Sequence, residues 1–169
     1  MTKSDLIEDV EISFEILEHA IRSMCYSELD AFDVDLFGQD LQLNLEENIQ
    51  FPRGKFTTHE DIVRTAQMSV SLSFAATAIT MDCLLEDIDT TDANSNAAKE
   101  VIKAVRNAFS HGIAAPIWFV KPHKFASYDL SFVMGPTVDL EKLNKIDFDY
   151  SQVGGLAAWY RLKEYVLSL

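Results

Sequence analysis

The sequence predicts a mainly α-helical fold: a four- to five-helix bundle with a small β-hairpin inserted before the last helix. Three observations carry this. Apolar residues recur every three or four positions through residues 4–24, 57–88 and 95–110. Helix-starting and helix-stopping residues stand at the ends of those stretches. Between residues 116 and 150 the pattern shifts to β-branched and aromatic residues parted by turn formers.

Ser4 to about Met24 reads as the first helix, with Leu6, Val10, Phe14, Leu17, Ile21 and Met24 along one stripe. Ile7, Ile12 and Ile16 widen that stripe, and Glu8, Asp9, Glu11, Glu15 and Glu18 mark the solvated side. Asp5, Glu8 and Asp9 complement the positive end of the helix dipole. Leu29 to Phe51 reads as an irregular acidic connection. Within it Asp33-Val34-Asp35-Leu36 and Gln42-Leu43-Asn44-Leu45 alternate as short extended segments do, and Gly38 and Pro52-Arg53-Gly54 punctuate it. Thr57 opens a capping box with Glu60, with Thr58 and Asp61 as the alternative pair, and a long helix follows to about Ile88.

After a polar break with caps available at Asp92, Asn94 and Ser95, a third helix runs from about Ser95 to Ser110. Ala98, Val101, Val105, Ala108 and Phe109 form its buried side, Gly112 suits the C′ position, and Pro116 prevents continuation. Ile117 to Val120 and Tyr128 to Val133 read as the two strands of the hairpin, linked around Pro122 and Ser127. Pro136 and Asn144-Lys145 mark turns, Ile146 to Tyr150 reads as extended, and Gly154-Gly155 leads into a last helix from about Leu156 to Leu167. The whole, residues 1–169, is expected to be one domain, with the bundle at 4–112 and 154–168 and the hairpin region at 116–150.

Nearly half of the 169 residues are hydrophobic, which argues against intrinsic disorder and provides for a core without a staple. Cys25 and Cys83 each sit in an apolar helical pattern and are expected to be buried, reduced thiols. No Cys or His spacing suggests a metal site, and no cofactor is expected. The N-terminus leads into an acidic amphipathic helix and not into a signal peptide. Ala66 to Leu85 is free of charge until Asp82, but its Gln67 and its many Ser and Thr residues suit a central buried helix better than a membrane span. A cytoplasmic protein that does not engage membranes is the expectation.

The formal net charge is −13. Residues 1–50 carry 13 acids against Lys3 and Arg22, and the other 119 residues are near balance. Residues 99–124 hold Lys99, Lys103, Arg106, Lys121 and Lys124 against Glu100 alone. An acidic chain excludes indiscriminate polyanion binding, yet this stretch leaves room for one basic site.

The segment Arg106-Asn107-Ala108-Phe109-Ser110-His111 ends the third helix and is the candidate functional centre. Asn107 and His111 are four apart and share a helix face, whereas Arg106 lies about 140° from His111 around an ideal helix. Either the helix end loosens near Gly112 or a second copy completes the site. The residue types suit metal-free RNA cleavage. A histidine exchanges protons near neutral pH and can deprotonate a ribose 2′-hydroxyl or protonate the leaving oxygen. An arginine can hold two phosphate oxygens, and an asparagine amide can orient either partner. The plain alternative is that Arg106 and His111 satisfy free carbonyls and the dipole at a helix end.

Arg106-Asn107-x-x-x-His111, closing a helix and followed by Gly112, resembles the signature of the HEPN superfamily. That signature is R-x(4–6)-H, commonly with Asn, Asp or His directly after the Arg, near the end of a late helix in a four- or five-helix bundle. The resemblance covers residues 4–112 and the final helix, and the hairpin is similar to an elaboration of plasmid- and prophage-type members. It implies a metal-independent endoribonuclease that works as a homodimer, with Arg106, Asn107 and His111 of both subunits in one cleft. It further implies a toxin, phage-defence or RNA-processing role, often beside a nucleotidyltransferase-type antitoxin. Some members only bind or scaffold, so a non-catalytic dimeric interaction module or a nucleotide-binding module is the alternative.

Lys103, Ser110, Lys121, His123 and Lys124 are weaker candidates for RNA contacts around the motif. Trp118, Phe119 and Tyr128 either stack on bases or pack the hairpin onto the bundle. His19 reads as a surface residue, and His59 lies in the first turn of the long helix. Arg64 faces the motif or pairs with Glu60 or Asp61. Gly154-Gly155 lacks the lysine and spacing of a phosphate loop, and the acidic run 28–47 lacks the order of an EF-hand.

Overall fold

Thr2 starts the first helix, α1 (Lys3–Glu28), through a reciprocal cap: Asp5 N–H donates to Thr2 Oγ1 at 3.2 Å and Thr2 N–H to Asp5 Oδ2 at 2.7 Å. The computed structural model describes residues 2–44, 48–52, 54, 56–86, 88 and 90–169. Within these, α1 is followed by α2 (Val34–Phe37), a hairpin of β1 (Leu41–Asn44) and β2 (Asn48–Phe51), and the long helices α3 (His59–Glu86) and α4 (Ala93–Ser110). A second hairpin, β3 (Ser127–Asp129) with β4 (Thr137–Asp139), precedes the short α5 (Leu140–Leu143) and the closing α6 (Gly155–Ser168). The architecture is mainly helical with two small antiparallel sheets. The readings made for Met1, Leu45, Glu46, Glu47 and Arg53 lie outside the described residues.

Leu6, Val10, Phe14 and Leu17 of α1 are buried against α3. The Ser13 and Thr80 hydroxyls meet at 2.9 Å, and Ile21 and Met24 share a groove with Met68 and Val70, so the two helices run antiparallel. α4 packs on α3 and buries Ala98, Val101, Val105, Ala108 and Phe109. α6 closes the bundle with Trp159 and Leu162 buried and with Tyr160 edge-on to Phe14 at 5.1 Å. Phe74 of α3 lies at the centre, ringed by Trp159 at 4.7 Å, Tyr150 at 4.8 Å, and Phe109 and Phe148 at 5.7 Å. α3 is long and apolar enough to cross a membrane by length and composition, and 56% of its most apolar window is buried inside the fold.

The Trp159 indole N–H is buried and donates to Thr77 Oγ1 at 2.8 Å, while the Thr77 hydroxyl donates to the Phe74 carbonyl at 2.7 Å. Thr77→Val keeps the shape but leaves the indole N–H without an acceptor. The expected loss is about 1–3 kcal/mol in urea unfolding. Thr77→Ser, which keeps the oxygen and loses only the methyl group, should lose less, and a Val variant as stable as wild type would mean that the hydrogen bond contributes nothing.

Several expectations are corrected. Val34 to Leu36 is helical and not extended: the Asp33 carboxylate accepts from Leu36 N–H at 3.0 Å and caps α2. Residues 41–44 and 48–51 are paired antiparallel strands and not an irregular connection, with Leu41 opposite Phe51 and Leu43 opposite Ile49. Of the two pairs offered for the cap of α3, the alternative forms: Thr58 with Asp61, whose carboxylate also accepts from Thr57. Ile12 and Ile16 are exposed, because the buried stripe passes through Ser13 and Phe14 instead. Cys25 is likewise exposed and Cys83 half-buried. Cys25 falls beside the stripe that ends at Met24 and Ser27, and burial pushes the Cys83 thiol up.

The later hairpin also pairs differently from the expectation. Asp129 accepts from both the Ser131 amide and hydroxyl at 2.9 Å, which ends β3 and turns the chain into a 3-10 turn, Ser131–Val133. β3 therefore pairs with 137–139, not with 117–120. Pro116 to Trp118 instead lies along 145–148: Trp118 N–H donates to Ile146 O at 2.9 Å and Phe148 N–H to Pro116 O at 2.8 Å. The side chains of Trp118 and Val120 are buried, and those of Phe119 and Lys121 point outward, which is the period of two of an extended chain. At Gly154, φ is +88°, and a Cβ there would lie 2.6 Å from that of Ala158, so only glycine lets α6 start this close to Pro136.

Candidate functional site

α4 is set in place at both ends. Asp92 caps its start, accepting from Asn94 and Ser95 N–H at 2.9 and 3.0 Å, and Phe109 anchors its end in the aromatic core. The helix does not unwind at the motif. It stays α-helical to Ser110, His111 is its C-cap in a right-handed conformation, and Gly112 needs no positive φ. Arg106, Asn107 and His111 nevertheless line one surface cleft of about 790 Å³. α3 forms the opposite wall through Leu72, Ala75, Ala76 and Ile79, and Ile113 closes one side.

The three side chains are held to different degrees. The Arg106 guanidinium forms an ion pair with Asp82 of α3 and donates to Asn107 Oδ1 at 3.3 Å. Asp82 is 2% exposed and Arg106 33% exposed, so the acid is interior and the base reaches the cleft surface. The His111 ring is exposed and leans edge-on against Phe119, with centroids 5.1 Å apart. Ser110 also lines the cleft, but its hydroxyl donates to the Asn107 carbonyl at 2.7 Å.

Asp82 is the residue that sequence reasoning passed over. Its signal was present: it is the first charge after Arg64 in a long apolar helix, and an acid on a buried stripe requires a partner. Burial holds its carboxyl above the usual aspartate range, against the opposing pull of Arg106, Lys103 and Lys99, with Glu86 acting in the same direction as burial. The native protein therefore binds this proton more tightly than the unfolded chain does. Stability contributed at position 82 is present below the ordinary aspartate value near ~3.9 and falls as pH rises through the native value. In Asp82→Asn the step is absent. The wild-type Tm minus the variant Tm should accordingly decline between about pH 4 and the native value. A difference that grows with pH would mean that attraction to Arg106 outweighs burial.

The weaker candidates divide. Lys103, Lys121, His123 and Lys124 come together around a second cavity of about 250 Å³, which Asn107 and Phe119 also line. Lys124 is tied to Glu100 at 2.7 Å, and that bond raises its pKa. Of the aromatic residues named from sequence, Trp118 is fully buried with its indole N–H on Gln152 at 2.7 Å, Tyr128 is half-buried, and Phe119 is exposed. His19 is exposed, His59 Nδ1 lies 2.9 Å from Asp30, and Arg64 pairs with Asp61 at 3.4 Å away from both cavities. Among the described residues no group of three or more His, Cys, Asp or Glu side chains is placed to hold a metal ion.

No protein-family model matches the chain, and no curated protein and no solved structure matches it.

Proposed function

We propose that this chain is a HEPN-type, metal-independent endoribonuclease that acts as a cytoplasmic homodimer. The observation that carries the reading is the meeting of Arg106, Asn107 and His111 in one open cleft at the end of a late bundle helix. Arg106 would hold the non-bridging oxygens of the scissile phosphate, and Asn107 would fix the guanidinium through the bond it already accepts. His111 would serve as base or acid. In the step, the ribose 2′-oxygen forms a bond to phosphorus as its proton passes to a base, and the bond from phosphorus to the 5′-oxygen breaks as that oxygen takes a proton from an acid.

Each chain supplies one such histidine, so base and acid together call for two copies facing one cleft. The rim suits that pairing: Leu72, Ile79 and Ile113 are large, exposed and apolar beside the three polar residues. A toxin or phage-defence role, with a nucleotidyltransferase-type antitoxin as partner, belongs to the same proposal.

One observation favours a second reading. Because Asp82 already neutralises Arg106, the motif also suits a non-catalytic dimeric or nucleotide-binding module. The test is incubation of the purified protein with single-stranded RNA in excess chelator. Cleavage that disappears in His111→Ala supports the ribonuclease. Intact RNA with a folded dimer supports the module, and a monomer by light scattering at micromolar concentration counts against a shared cleft.

A further inference from the structure

The second cavity adjoins the motif cleft through Asn107, which lines both. Its walls come from two elements whose geometry sets the chemistry. On α4, Lys103 and Asn107 are four residues apart and share one face. On the extended segment after α4, burial of Trp118 and Val120 turns Phe119 and Lys121 to the other side. The cavity thus joins ammonium groups to an aromatic ring that is 49% exposed and that already touches His111. Glu100 is the one acid on its lining and is spent on Lys124. Among the described residues neither Lys103 nor Lys121 takes part in a salt bridge.

We infer that this cavity is a subsite for the nucleotide next to the scissile phosphate of a single-stranded RNA, with the base stacked on Phe119 and the phosphate held by Lys103 and Lys121. A volume of about 250 Å³ suits one nucleotide and not several. An exposed aromatic beside lysines outside any salt bridge is the combination that single-stranded nucleic acid uses, since every base has a π-face and every linkage a charge. Duplex RNA keeps its bases stacked in the helix and offers none to Phe119. The inference rests on the ribonuclease reading for the identity of the ligand and for the passage of the strand by His111.

Adenosine 5′-monophosphate, adenosine and inorganic phosphate serve as probes by calorimetry, beside cleavage kinetics on a short single-stranded RNA. The monophosphate is expected to bind more tightly than either fragment. Phe119→Ala should weaken it about tenfold while leaving phosphate binding unchanged, and Lys103→Ala and Lys121→Ala should each weaken it about fivefold. Phe119 and Lys121 are exposed and Lys103 is half-buried, and a matched circular dichroism spectrum for each variant excludes misfolding. In cleavage Lys103→Ala and Lys121→Ala should raise KM and leave kcat within about threefold, as loss of uniform binding does, whereas Phe119→Ala should raise KM and also lower kcat, because its ring touches His111.

Monophosphate binding no tighter than that of phosphate overturns the subsite, as does wild-type KM in all three variants. If the monophosphate binds with this pattern of losses but no RNA is cut, the ribonuclease reading fails and the nucleotide site stands. If RNA is cut with unchanged KM in every variant, the subsite fails and the ribonuclease reading stands.

Discussion

His111→Ala is expected to lower RNA cleavage in chelator by about two to four orders of magnitude, the range over which a positioned acid or base acts. Its Tm should stay at the wild-type value, because the ring is exposed and its one aromatic contact is the edge of Phe119. Arg106→Ala should also abolish cleavage, but for mixed reasons. It strips the partner from a carboxylate that is 2% exposed, and a third of the arginine side chain reaches solvent. The stability cost is therefore set at roughly 1–3 kcal/mol, below the range for a fully buried pair. Arg106→Lys separates the two effects: it retains a charge for Asp82 and loses the two-pronged grip on phosphate. A Lys variant with native Tm and lost cleavage assigns Arg106 to the reaction. A Lys variant that cleaves at the wild-type rate removes it from that role.

The largest stability effect is expected at Phe74. Its ring contacts four other aromatic rings drawn from α4, α6 and the segment before α6. Phe74→Ala leaves a hole that these rings cannot all fill, at a cost of about 3–5 kcal/mol and a fall in Tm of roughly 10 °C for a chain of this size. Cleavage should fall as well, below the unfolding temperature, because Phe109 loses the support that sets the end of α4. A variant whose Tm changes by less than about 3 °C would mean that the aromatic cluster closes over the gap. Phe74→Leu, which keeps most of the volume, should sit between the two.

The four long helices were legible because their signals are local, whereas the one-turn helices α2 and α5 were not. The α1 stripe from Leu6 to Leu17, the cap at Asp92 and the glycine pair at the start of α6 each act within a few residues, and each stands where periodicity and capping chemistry predict. The pairing of the later strands was not legible. Tyr128 to Val133 and Ile117 to Val120 both have β character, and which segment each lies along is decided far away in sequence, where residues 116–118 bond to 145–148. The grouping of the candidate site was legible in its letters, since Arg106, Asn107 and His111 line one cleft. Its supporting contact was not: Asp82 and Arg106 are 24 residues apart, and only the antiparallel packing of α3 on α4 joins them.

That distance has an evolutionary consequence. A chain that lost Arg106 would keep an acid in its interior, and one that lost Asp82 would free a guanidinium to search for other partners. Drift at either position is therefore selected against until the other changes too. Positions 82 and 106 should be inherited as a unit, exchanged together for an apolar pair wherever the motif falls out of use.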